Sequence, residues 1–133
     1  AATIDLNAVS GIGNTTALEL SGSTITADTT TGNIDLDNAI AATFTTVTTG
    51  TGTITVDNTG AAEFTTVTTT SGAVDLEAIG GDLTVGTSVT AGGTANVSLT
   101  TTTSGDVILT GTTTAAGDQV TITSAGRSTV RGW

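Results

Sequence analysis

The chain contains no Cys, so neither a disulfide nor a thiolate metal site can form. It contains no His, which together with the missing Cys removes Ser-His-Asp, Cys-His and other imidazole chemistry. Tyr, Met, Pro and Lys are also absent, and the only cations are Arg127 and Arg131. Aromatic residues make up 2 %, so a platform of Trp or Tyr rings for stacking sugars is excluded. No apolar run approaches the length of a membrane-spanning helix, and no membrane insertion is expected. The net charge of −10, with no cation before Arg127, excludes a phosphate-binding surface, so no nucleic-acid partner is expected. Attraction to anionic lipid is disfavoured for the same reason. Such a surface favours solubility, or cations as partners. The start of the chain shows no basic-then-apolar leader pattern.

What remains is dominated by Thr, at 37 of 133 residues, with 18 Gly. Such a composition alone would fit disorder, but β-branched Val and Ile alternate with polar residues, which is the strand pattern. The chain also repeats itself. Gly-Asn-Ile-Asp-Leu-Asp-Asn at 32–38 and Ala-Ala-Thr-Phe-Thr-Thr-Val-Thr-Thr at 41–49 return as Gly-Thr-Ile-Thr-Val-Asp-Asn at 52–58 and Ala-Ala-Glu-Phe-Thr-Thr-Val-Thr-Thr at 61–69. A third copy opens at Gly72-Ala-Val-Asp-Leu-Glu-Ala. A fixed interval of this size marks a solenoid, whose repeats pack on their neighbours only.

Each copy holds two short strands. Ile34, Ile54 and Val74 form one apolar column and Leu36, Val56 and Leu76 a second, with the intervening residue pointing the other way. In the second strand, Phe44 stacks on Phe64 and Val47 on Val67; the three-residue step from Phe to Val predicts a corner or bulge between them. Leu83, Val85 and Val89 take over this strand later, and Val97/Leu99, Val107/Leu109 and Val120/Ile122 continue the alternation. Ile4/Leu6, Leu18/Leu20 and Ile25 read as less regular early coils, for five to seven in all. The expected fold is an all-β parallel β-helix, or β-solenoid, with coils of about twenty residues forming a single domain over residues 1–133. Helices are disfavoured by Thr, Gly and β-branched content, and hairpin dipeptides are too few for a sandwich. Gly32, Gly52, Gly72 and Gly92 or Gly93 fall at coil boundaries, where tight corners need positive φ. No amphipathic cap helix is visible, so the chain reads as a segment or subunit of a longer fibre.

The run Gly81-Asp82-Leu83-Thr84-Val85-Gly86-Thr87-Ser88-Val89-Thr90-Ala91-Gly92-Gly93 resembles the repeats of filamentous-haemagglutinin-type exoproteins, the adhesins of two-partner secretion. The likeness recurs at Gly105-Asp106-Val107-Ile108-Leu109-Thr110-Gly111 and at Gly117-Asp118-Gln119-Val120-Thr121-Ile122-Thr123. The resemblance covers nearly the whole chain and implies a right-handed β-helical stalk at the bacterial surface. Its motif is structural and transfers no catalytic residue.

Asp37, Asp57 and Glu77 share one repeat position, flanked by Asp35 and Asp75. Stacked, they repel by on the order of 1 kcal/mol per neighbouring pair in water. Ca²⁺ would relieve this through oxygen ligands, but solvated corner carboxylates are the plainer reading and no cofactor is expected. Asn38 and Asn58 stack likewise, as a structural amide ladder. Thr45, Thr46, Thr48 and Thr49 face Thr65, Thr66, Thr68 and Thr69, an array that an ice-binding face would need, although only two copies are regular in sequence. Asn14-Thr15-Thr16 and Asn96-Val97-Ser98 fit the N-glycosylation pattern. The closing stretch holds Arg127, Arg131 and Trp133, residue types of binding hot spots, and reads either as an end strand or as a latch onto the next subunit.

The function expected from these features is a non-catalytic structural rod of a bacterial cell-surface adhesin or extracellular fibre. Its partners would be neighbouring coils or identical subunits end to end, and a host or cell-surface glycan or receptor. A filament subunit that assembles by itself is one alternative. A carbohydrate-active β-helix enzyme, which needs convergent carboxylates, is the other.

Overall fold

The computed structural model describes residues 2–117 and 119–130. Its strands are β1 (Thr3–Ile12), β2 (Leu18–Leu20), β3 (Thr24–Asn38), β4 (Ala42–Thr51), β5 (Ile54–Thr59), β6 (Ala62–Ser71), β7 (Val74–Ile79), β8 (Leu83–Ala91), β9 (Val97–Thr102), β10 (Val107–Leu109), β11 (Thr112–Ala115), β12 (Val120–Thr123) and β13 (Ser128–Val130). Thr, Val and Ile dominate them, as β-branched side chains fit a pleated surface. The absence of Pro leaves every strand residue a backbone donor for its ladder.

All the pairings are parallel, and the strands stack in about six turns of a β-solenoid. Two ladders run along it. The first joins β2, the C-terminal half of β3, β5, β7, β9 and β12. The second joins β1, the N-terminal half of β3, β4, β6, β8, the pair β10 and β11, and β13. Strand β3 bends through the corner and belongs to both.

Alternation within each strand sends one set of side chains into the space between the ladders. Ile34–Ile54–Val74–Val97 and Leu36–Val56–Leu76–Leu99 form two buried columns of the first ladder. Ile25–Phe44–Phe64–Val85–Leu109 and Ala27–Val47–Val67–Val89 form two of the second. Each fully buried aliphatic side chain contributes roughly 1.5–3 kcal/mol. The expected columns are therefore present, including the early ones: Ile4 lies beside Ile25, and Leu18 beside Leu36.

The step from Phe to Val is a bulge, as its spacing predicts. Ile25 pairs with Phe44 but Thr26 pairs with Thr46, leaving Thr45 as an extra residue in β4. Another is added at the same corner between Val85 and Ser88. The coil also grows at other corners. Partners lie 20 positions apart at Thr59 and Ile79, 21 at Ala62 and Leu83, 22 at Thr69 and Ala91, 23 at Val74 and Val97 and 24 at Leu83 and Val107. Every extra residue falls either at this bulge or in a corner between strands, where it disturbs no buried column. The last of these corners holds Thr103 at φ 70, a left-handed conformation unusual for a β-branched residue.

Glycine is required where corners stack. Gly52 and Gly72 have φ of 129 and 152, and a Cβ on Gly72 would strike the carbonyl oxygen of Gly52. At the following boundary Gly93, at φ 68, holds the positive conformation, while Gly92 does not.

Candidate functional site

Two outward faces and one inward amide ladder carry the polar chemistry of the chain. The first ladder presents its carboxylates outward, because Ile34, Leu36 and Asn38 take the inward positions and Asp35 and Asp37 must alternate with them. Asp37, Asp57 and Glu77 are in register as expected, with Asp35–Thr55–Asp75 alongside. The column extends one coil further than the repeat indicated, since Glu19 pairs with Asp37. The only sequence signal for Glu19 is its place between Leu18 and Leu20, and its separation of 18 positions from Asp37 hides it from a search at 20.

This crowding changes the acidity of the middle of the row. Partial burial, then the charges of Glu77, Asp75, Asp37 and Asp35, raises the Asp57 carboxyl above its ordinary 3.8. Partial burial and then Glu77 do the same to Asp75. Strand geometry spaces these groups along a line, and among the described residues no three acidic side chains converge as a metal-holding group. The row can attract cations by its summed charge.

The Asn ladder lies inward. Asn38 and Asn58 are fully buried, and Asn38 Nδ2 donates to Asn58 Oδ1 at 2.8 Å. Asn38 also donates to the carbonyls of Gly22 at 3.0 Å and Ile40 at 2.7 Å, and its Oδ1 accepts from Gly22 N at 2.9 Å. Asn58 Nδ2 reaches the carbonyls of Thr59, Gly60 and Ala61. The two amides therefore satisfy the turning backbone at one corner. At another corner Thr49 and Thr69 donate to Gly32 and Gly52 carbonyls at 2.8 and 2.9 Å. Thr29, one coil earlier, is buried without a partner, because the facing corner is irregular between Ser10 and Ile12.

A second set of corner contacts was not visible in the repeat. Asp82 Oδ1 accepts from Asp106 N at 2.8 Å, and Asp106 Oδ1 from Arg127 N at 2.7 Å. Asn33 and Asn96 accept in the same way from Thr53 and Gln119. These side chains bind the backbone of the next coil, so Asp82 and Asp106 are structural. Asn14 and Asn96, the glycosylation candidates, are exposed, and Asn14 Nδ2 donates to Ser10 O at 2.9 Å.

Arg127 is exposed and is held through its backbone, its carbonyl accepting from Val107 N at 2.8 Å. Arg131 and Trp133, the other two members of the expected latch, lie outside the described residues.

The outward face of the second ladder is different in kind. Thr26, Thr46, Thr66, Ser88 and Thr112 form one column, and Asp28, Thr48, Thr68, Thr90 and Thr114 the column beside it. Thr45 and Thr65 sit at the bulge, and Thr49 and Thr69 point inward. The array thus loses half of the Thr residues first assigned to it and gains members from two later coils. Where this face turns toward the Asn corner lies an open groove of 410 Å³ lined by Ser23, Ala41, Ala61, Thr43, Glu63 and Asp82 among others. A similar groove of 430 Å³ borders Glu19 and Asp37.

No family model, curated protein or solved structure matches the chain.

Proposed function

We propose that this chain is a structural rod element of an extracellular or bacterial cell-surface fibre of the adhesin type, with no catalytic centre. One observation supports this above all: polar side chains are spent on holding one coil to the next. Asn38 and Asn58 link coils through their amides, and Asp82 and Asp106 link them through accepted backbone N–H groups. The strands add a continuous parallel ladder beneath. Among the described residues the carboxylates recur along the axis with the coils, and no three of them gather into one group.

The test is direct. The purified chain is incubated with a panel of polysaccharides and assayed for new reducing ends, and the same sample is imaged by electron microscopy. Unchanged polysaccharides support the rod; new reducing ends overturn it in favour of the enzyme. Long fibres in the images would show that the rod polymerises by itself through its strand edges.

A further inference from the structure

We propose that the hydroxyl face of the second ladder is an ice-binding surface. The observation behind it is a two-column array that the sequence period conceals. Thr46–Thr66–Ser88–Thr112 and Thr48–Thr68–Thr90–Thr114 are in unbroken register through β4, β6, β8 and β11. The separations along a column are 20, 22 and 24 positions, yet the bulge and corners absorb every extra residue before the array resumes.

Charge borders this array without entering it in β4, β6, β8 and β11: Asp28 and Asp5 continue its two columns at one end, and Glu63 stands exposed on β6 beside it. Although the chain carries a net charge of −10, no member of either column in these four strands is ionisable, and the carboxylate row lies on the other ladder. Thr48 Oγ1 donates to Asp28 Oδ1 at 3.0 Å at the edge of the array. The remaining hydroxyls of the array have no protein partner among the described residues, so they are open to water. Thr46, Thr48, Thr66, Thr68, Ser88 and Thr90 are each half-buried between their neighbours. The Thr members are β-branched, so each is stiff at χ1, and its methyl group and hydroxyl are held in a fixed pattern.

The dimensions suit solid water. Oxygens joined by O–H···O bonds lie about 2.75 Å apart, and tetrahedral geometry then puts second neighbours about 4.5 Å apart, with a longer repeat of about 7.3 Å. Stacked strands repeat every 4.8 Å or so along a column, and two residues of strand span about 6.7 Å across it. The axial match is the closer, and it is the direction in which the array is longest. A rigid, uncharged lattice of hydroxyls and methyls at this spacing holds water in positions that an ice surface can share. Sugar recognition on the same face is disfavoured because both Phe rings are buried in the core.

The experiment uses the 133-residue chain and measures thermal hysteresis and inhibition of ice recrystallisation against a non-binding globular protein. Three variants accompany it. Thr66→Tyr and Thr68→Tyr obstruct the array, while Thr55→Tyr places the same bulk on the outward face of the other ladder, between Asp35 and Asp75. Circular dichroism and thermal melting establish that each variant folds. The expected result is activity in the parent and in Thr55→Tyr, and at least a tenfold loss in both array variants. Absence of activity in the parent overturns the proposal, as does full activity in folded Thr66→Tyr and Thr68→Tyr, or equal loss in Thr55→Tyr. Should the Tyr variants fail to fold, Thr90→Lys at the next coil decides, with loss expected and retention contradicting. Depletion of the chain by crystalline polysaccharide, with no effect on ice, would also overturn it. This outcome is independent of whether the chain serves as a fibre element.

Discussion

The rings of Phe44 and Phe64 lie 4.8 Å apart at their centroids and 14° from parallel, one coil above the other. The separation is that of adjacent strands, so the pair is held by the backbone ladder and fills the core at its widest column. Ile25 sits on one side of the stack and Val85 on the other, both buried.

Replacing Phe64 by Ala should therefore open a void that the rigid ladders cannot close. The expected loss is about 3–5 kcal/mol, read as a fall in the denaturant midpoint. Phe64→Leu should cost less, because neighbouring coils already place Ile25 and Val85 in this column. A loss below about 1 kcal/mol for Phe64→Ala would show that the column is not a packed core.

Asn38 and Asn58 occupy equivalent positions but are not equivalent energetically. Asn38→Leu orphans Gly22 N, the Gly22 and Ile40 carbonyls and Asn58 Oδ1. Each buried orphan costs about 1–3 kcal/mol, so melting should fall steeply. Asn58→Ala should be milder, since the next coil tolerates Ala78 at that position. Thermal melting of the two variants checks the order.

The carboxylate row gives an unusual pH dependence. Asp57 and Asp75 have carboxyls raised above 3.8 in the folded chain. The native state then binds more protons than the unfolded state over the window extending upward from 3.8, and their contribution to stability falls as pH rises through it. Lowering pH from neutral toward that value should raise the melting temperature. In Asp57→Asn the neutral-pH melting temperature should rise and the pH effect shrink. The expected gain is about 1 kcal/mol or less, because the row is partly solvated. A parent chain that melts earlier as pH falls over this window would contradict the assignment.

Thr103 holds a positive φ of 70 in the corner that carries one of the extra residues. Glycine adopts that conformation without steric penalty, so Thr103→Gly should stabilise the chain by about 1 kcal/mol despite removing a side chain. Denaturant unfolding of the variant tests this, and a loss of stability would mean that the corner relaxes in solution.

These cases also show which parts of the molecule the sequence discloses. Ile34, Ile54 and Val74, the Phe pair and the Asn pair lie at a constant interval, and the structure stacks them as that interval implies. Glu19 and the later Thr columns escape because their separations are 18, 22 and 24. The strands keep their register while corners take up insertions, since a corner residue meets solvent and a strand insertion would turn buried side chains outward. Asp82 and Asp106 recur after Gly in the quoted runs, but their role stays hidden: their partners are backbone N–H groups, which leave no pattern of side-chain types. The inward turn of Thr49 and Thr69 follows from the bulge at Thr45 and Thr65, which the Phe-to-Val spacing signals but does not direct.

Stacking of coils with a register that lengthens from 20 to 22 positions is the claim beneath the rest, and inter-strand contacts in a nuclear Overhauser spectrum of the isotope-labelled chain test it most directly. The methyl groups of Val67 should show cross-peaks to those of Val47 on one side and Val89 on the other. Contacts from Val67 to Thr87 in place of Val89, or the close Hα–Hα pairs of antiparallel strands between β4 and β5, would contradict the account.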